Sequence, residues 1–176
     1  MVTAEAIEIR VPSEDAFNGA DFLESDELTA LFVDVVDSYD RLRDIIAEHE
    51  IDVLALWKRK GGLASGLPVY GRCVKTGGLL SYFAERPFVI WLAADHIASA
   101  DWTVEQIRRQ VYHLSRFIGW REPNDTAEDG EGRAVKLRPE LMVFEGEVSD
   151  TGAWESFRKR VGSEFRQPTL FADGAP

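Results

Sequence analysis

Apolar residues recur along this chain with two periods, and the two periods divide it into helices and strands. Over 25–50 the apolar positions are Leu28, Phe32, Val35, Tyr39, Leu42, Ile46 and His49, spaced alternately by four and three. That spacing keeps one stripe of a helix against a core and predicts a helix over 25–50. Ser25 is placed to cap it, with Asp26 and Glu27 in its first turn. A second helix is predicted over 103–119, with Val104, Ile107, Val111, Leu114 and Ile118 as its core face. Thr103 followed three residues on by Gln106 has the form of a capping box.

Shorter apolar stretches predict strands over 51–57 and 69–74, and a short strand or arm over 6–11. The run over 88–93 is continuous and built of large residues, which predicts a central strand buried on both faces. Lys58-Arg59-Lys60-Gly61-Gly62 reads as a basic turn, Gly77-Gly78 as a break, and 79–85 as a helical turn or a loop. Beyond the second long helix, 121–133 reads as a mobile acidic loop and 134–137 as a short strand. Residues 139–148 and 154–165 read as further helices, with Pro139 near the first position of its helix. The pattern predicts an α+β fold: a small mixed sheet against two long helices, with more helices toward the C-terminus. One domain is expected over 1–165, followed by a flexible tail over 166–176.

Composition narrows the class. At 176 residues, with 45% hydrophobic and 29% charged residues, the chain matches a globular domain with a core of its own. The longest apolar run, over 88–94, is too short to span a membrane. The first residues lack the basic and apolar regions of a secretory signal, and Cys73 is the sole cysteine, so a cytoplasmic location is expected. The formal net charge of −11 opposes direct binding to nucleic acid, whose phosphates would repel it. It suits good solubility, contact with a basic surface, or imitation of DNA. The carboxylates of Asp34, Asp37, Asp44 and Glu48 read as a solvated helix face.

The candidate chemistry centres on Val111-Tyr112-His113-Leu114-Ser115-Arg116-Phe117. A zinc-peptidase helix of the form His-Glu-x-x-His places two imidazoles on one face to grip a zinc, while its Glu activates the bound water. Here Leu114 follows His113 directly, and Phe117 stands four residues on. With one residue skipped after His113, the second His aligns with Arg116.

The residues around this helix resemble those of a phage metallopeptidase family, a group of small zincin-like proteins. The resemblance runs from Ile51 to Trp154. It is carried by Leu56-Trp57-Lys58-Arg59-Lys60, Val69-Tyr70-Gly71-Arg72, Phe88-Val89-Ile90-Trp91-Leu92, Trp102-Thr103-Val104-Glu105-Gln106, Val111-Tyr112-His113-Leu114, Glu140-Leu141-Met142-Val143-Phe144 and Gly152-Ala153-Trp154. The order helix, strand, strand, strand, helix, short strand, helix is that of a minimal zincin. The resemblance implies a zincin-like fold but not the family's catalysis. The family's helix reads His-Glu-Leu-x-His, and only His113 has a counterpart here. The family's third ligand comes from a His-Asp pair entering the last helix, where this chain has Pro139-Glu140. No catalytic residue, no metal ligand set and no cofactor is therefore expected, with His113 as the remnant position.

Other chemistry is weaker. Cys73, Asp95, His96, His113 and Glu140 could form a relocated metal site, but their spacing matches no known ligand pattern. The plain roles are a partly buried helix residue for His113 and solvent-facing element ends for His49 and His96. Gln167-Pro168-Thr169-Leu170-Phe171 is similar to the bacterial sliding-clamp-binding motif, in which Gln enters a polar site and Leu-Phe an apolar cleft. Pro168 stands where that motif usually has Leu. Gln167, Leu170 and Phe171 are thus the candidate partner-binding residues, and Leu170 and Phe171 folded back on the domain are the alternative. The sequence points to an inactive zincin-like protein of phage or prophage type that binds a protein partner, in DNA replication, repair or host takeover. Two other readings stay open: a residual metal-dependent peptidase rearranged around His113, and an acidic DNA mimic.

Overall fold

The computed structural model describes residues 8–77, 86–122 and 132–138. All lie in the first of the two units into which the chain divides, Met1–Pro139 and Glu140–Pro176. The turn or loop expected over 79–85, most of the acidic loop over 121–133, the helices expected over 139–148 and 154–165, and the tail over 166–176 lie outside the described residues.

The fold is α+β. Its first regular element is a 3-10 turn, Glu14–Phe17. Strand β1 (Phe22–Glu24) then leads into helix α1 (Asp26–Ser38). Ser25 caps α1 as expected, its hydroxyl accepting the Leu28 N–H at 3.2 Å. Leu28, Leu31, Phe32, Val35 and Val36 are the buried stripe of α1.

The predicted helix over 25–50 is not continuous. Tyr39 is extended, with φ −125° and ψ 114°, and a short helix α2 (Asp40–Leu42) follows, running into a π-helical stretch, Arg43–Ala47. The break has a local cause. Ser38 turns its hydroxyl back to the Asp34 carbonyl at 2.7 Å, and Asp40 opens the next helix. Both residue types compete with helical backbone bonding. Arg43 spans the break, donating to the Asp37 carbonyl and to the Asp40 carboxylate. The break also lets the Tyr39 ring stack on Tyr112, with centroids 4.0 Å apart.

The main sheet has four strands in the order β1-β2-β6-β5. Strand β2 (Val53–Lys58) and strand β6 (Phe88–Ala93) pair in parallel at its centre. Strands β1 and β5 (Gly71–Lys75) flank them, each antiparallel to its neighbour. A small hairpin, β3 (Leu63–Ala64) with β4 (Leu67–Pro68), lies between β2 and β5 in sequence, and its turn has Ser65 at φ +51° and Gly66 at φ +78°. The run over 88–93 is thus the buried strand that the pattern predicts, and the expected strands over 51–57 and 69–74 are shifted by one or two residues. Of the strand expected over 6–11, residues 8–11 have no regular structure, though Ile9 is buried.

The faces of the sheet follow from strand alternation. Val53, Ala55 and Trp57 on β2, Phe88, Ile90 and Leu92 on β6, and Cys73 on β5 join the buried sides of α1 and of the helix Val104–Ser115 in one core. The alternate positions (Phe22, Glu24, Leu54, Leu56, Lys58, Arg72, Val74, Val89, Trp91 and Ala93) point the other way.

After β6 comes the short helix α3 (Ala94–Ser99), then α4 (Val104–Ser115). The capping box at Thr103 and Gln106 is formed in both directions. Ile107, Val111 and Leu114 are buried as expected, whereas Val104, expected in the core, is 41% exposed. The helix ends at Ser115 rather than at 119. Ile118, expected on its core face, belongs to strand β7 (Ile118–Arg121), which pairs with β8 (Arg133–Lys136). Gly119 permits that pairing: a Cβ there would fall 2.7 Å from the Leu137 side chain. Among the described residues, no helix is long and apolar enough to cross a membrane.

Candidate functional site

His113 lies in the last turn of α4, partly buried, with the edge of its ring toward Phe117 at a centroid distance of 5.3 Å. Helix α4 positions it by burying Val111, Tyr112, Leu114 and Ser115 around it. Arg116, at the place where a second imidazole would align, is only 5% exposed. Its Nη1 donates to the Tyr112 hydroxyl at 3.3 Å, and the guanidinium carbon lies 5.9 Å from the Tyr112 ring centroid. A guanidinium is cationic at every accessible pH and has no lone pair for a metal. The position aligned with a zinc peptidase's second imidazole therefore holds a side chain that cannot ligate a metal.

Cys73 is buried on β5, facing the core. Burial pushes its thiol up from the usual 9.0 to about 12, against a smaller downward pull from the Lys136 ammonium. At neutral pH it is a thiol, neither a nucleophile nor a ready metal ligand. Lys136 Nζ instead donates to the Cys73 carbonyl, and Lys75 Nζ to the Ala134 carbonyl at 2.6 Å, so two lysines tie β5 to β8 reciprocally.

Asp95 and His96 do come together, but in a structural role. Asp95 Oδ1 accepts the N–H of Gly61 and of His96, both at 2.8 Å. His96 Nδ1 meets the Val69 carbonyl at 3.1 Å, and Nε2 lies 3.7 Å from Asp95 Oδ2. The Tyr70 ring meets His96 edge-on and stacks on Trp102. This cluster fastens the loop carrying the β3-β4 hairpin to the start of α3. Its His96 is 20% exposed, not the solvent-facing residue expected from sequence. His49 departs in the same way: it is partly buried and stacks flat on Trp120 at 4.0 Å. Neither contact has a sequence signal, because each joins residues distant along the chain.

Among the described residues, no three His, Cys, Asp or Glu side chains are grouped so that they could hold a metal ion. Glu140 and the tail residues Gln167, Leu170 and Phe171 lie outside the described residues. An open cleft of about 610 Å³ lies at the start of α1, floored by Val11, Leu23 and Trp57 and rimmed by Arg10, Glu24 and Glu27. The Ser25 hydroxyl and a backbone N–H hold the Glu27 carboxyl below its usual range. That stabilises a carboxylate at a helix start and supplies no chemistry. Comparison with family models, curated proteins and solved structures finds no match for the chain.

Proposed function

We propose that this chain is a zincin-like protein of the phage metallopeptidase type that has lost its zinc chemistry and acts by binding another protein. The observation that carries this reading is that Arg116, at the C-cap of α4 three residues after His113, sets a buried guanidinium at the place of a second imidazole, and a guanidinium has no lone pair to give a metal. The scattering of Cys73, Asp95 and His96 over β5 and the start of α3, each with a role in packing or hydrogen bonding, supports the same conclusion. With the short elements β1, α2, β3, β4, α3 and β7 set aside, the order α1, β2, β5, β6, α4, β8 matches the helix, strand, strand, strand, helix, short strand of a minimal zincin.

The proposed partner is a protein, and the bacterial sliding clamp is the partner that Gln167, Leu170 and Phe171 would fit. On this reading the protein would act in replication, repair or host takeover, in the cytoplasm, without direct contact to nucleic acid. The test is elemental analysis with a peptide-hydrolysis assay. The protein should carry no stoichiometric zinc, cleave no peptide, and melt at the same temperature with and without chelator. One zinc per chain, lost together with hydrolysis in His113→Ala, would instead establish a peptidase rearranged around His113.

A further inference from the structure

Single apolar side chains are ordinary on a protein surface, but two on one short protrusion are not. The β3-β4 hairpin carries Leu63 at 70% and Leu67 at 39% exposure, and every residue from Gly62 to Leu67 is exposed. Opposite residues of an antiparallel pair share a face. Leu63 is opposite Pro68 and Ala64 opposite Leu67, so the two leucines stand on different faces of the hairpin. A protrusion that is apolar on both faces fits between two walls rather than on a flat surface.

The hairpin is held in shape before it meets anything. Ser65 at φ +51° and Gly66 at φ +78° make the tight turn that strand twist favours. Asp95 accepts the Gly61 N–H at one end, and His96 meets the Val69 carbonyl at the other. The Val69 N–H donates to the Gly62 carbonyl at 2.9 Å, which closes the base. An element so fixed loses little freedom on binding. Beside the base, Lys60 pairs with Glu14 at 3.4 Å, with side chains 67% and 68% exposed, a solvated pair that is easily exchanged.

The same chain carries a receptor of matching shape and charge. The cleft at the start of α1 has room of about 610 Å³ and is bounded by the stretches 10–13 and 24–27, with Val11 and Leu23 in its floor. Glu24, Asp26 and Glu27 are exposed on its rim, against Arg10, which already pairs with Glu8 at 3.6 Å. Lys60 precedes Leu63 by three residues, about 10 Å of extended chain, so with the leucines in such a cleft its ammonium reaches the rim. Two copies of net charge −11 repel as wholes, and a contact between them needs a local match of this kind.

We propose that this chain self-associates, the β3-β4 hairpin of one copy seated in the α1 cleft of a second. Each copy carries both halves, so the contact is made twice about a two-fold axis and the assembly closes at a dimer.

The test is sedimentation equilibrium of the full chain across the micromolar range, which should show monomer in equilibrium with dimer. Leu63→Asp with Leu67→Asp should weaken the association about tenfold or more. Lys60→Glu alone and Glu24→Lys alone should each weaken it. The chain carrying both should recover, because the charges are exchanged rather than lost. Val33→Ser, on an exposed part of α1 outside the cleft, should leave association unchanged. Circular dichroism shows that each variant is folded. A photoreactive residue in place of Leu67, in a mixture of light and isotope-labelled chains, should cross-link one copy to the 10–13 or 24–27 stretch of another. Monomer at every concentration, a mass that grows past two chains, or indifference to the leucine pair would overturn the proposal. Failure of the exchanged charges to recover association, or cross-links confined to one polypeptide, would overturn it as well.

Discussion

Gly61 shows how much one missing methyl group can decide. A Cβ there would sit 2.3 Å from His96 Nδ1 and 3.0 Å from the Ala93 Cβ. Gly61→Ala should displace the imidazole, break its bond to Val69 and cost about 1–3 kcal/mol in denaturant titration. In a His96→Ala background the same substitution should cost much less, because the obstructing ring is gone. Cys73 gives a second test at this scale. With its thiol raised to about 12 by burial, it should resist alkylation at pH 8 in the folded protein and react at once in denaturant. The linkage has a definite sign: a raised pKa contributes stability that is fully present below the usual 9.0 and is lost as pH climbs toward about 12. The melting temperature of Cys73→Ala should therefore fall less steeply over that window than that of the natural protein. Some residue roles were legible in sequence. Ser25 and Thr103 cap their helices as their neighbours implied, because a cap depends on residues within one turn. The burial of Arg116 was not, since it depends on packing between elements.

At the scale of elements, α1 and α4 were legible as amphipathic stripes, but their ends were not. The stripe of α1 runs on through Leu42 and Ile46, so periodicity does not register the break at Tyr39. Likewise Ile118 keeps helical phase with Val111 and Leu114 while belonging to β7. Short strands such as β1 and the β3-β4 hairpin carry too few residues for a period to show. One polar tie joins the two long helices: Arg108 on α4 donates to the Asp34 carboxylate and, at 2.9 Å, to the Ser38 hydroxyl on α1. Asp34 was expected on a solvated face, and it is instead 41% exposed and paired. Arg108→Ala should cost about 0.5–1 kcal/mol at low ionic strength, less at high salt, and should be non-additive with Asp34→Ala. Additive costs would show that the pair does not couple the helices.

For the whole molecule, the α+β architecture followed from the mixture of periods, and β6 from its unbroken apolar run. The sheet order did not, because pairing between β2 and β6 leaves no mark in either strand. The candidate site was legible mainly as a deficit, the missing Glu and second His after His113. If the tail carries the partner motif, deleting residues 166–176 should abolish binding to a bacterial clamp and leave the melting temperature unchanged. Leu170→Ala with Phe171→Ala should have the same effect, each side chain contributing on the order of 1.5–3 kcal/mol on burial. A lowered melting temperature on truncation would show that those side chains pack on the domain instead. The central parallel ladder has one more consequence, for the time course of synthesis. It joins Val53 to Phe88, so β2 leaves the ribosome well before the strand that completes it. At about 5–20 residues per second, the nascent chain waits roughly 2–7 s with β1 available to one edge of β2 and the other edge unpaired. Helix α1 and its caps form within that interval, while the sheet closes late across a long loop. Folding of this protein during translation should therefore be gated by the emergence of β6, and the waiting chain is a natural substrate for a ribosome-associated chaperone.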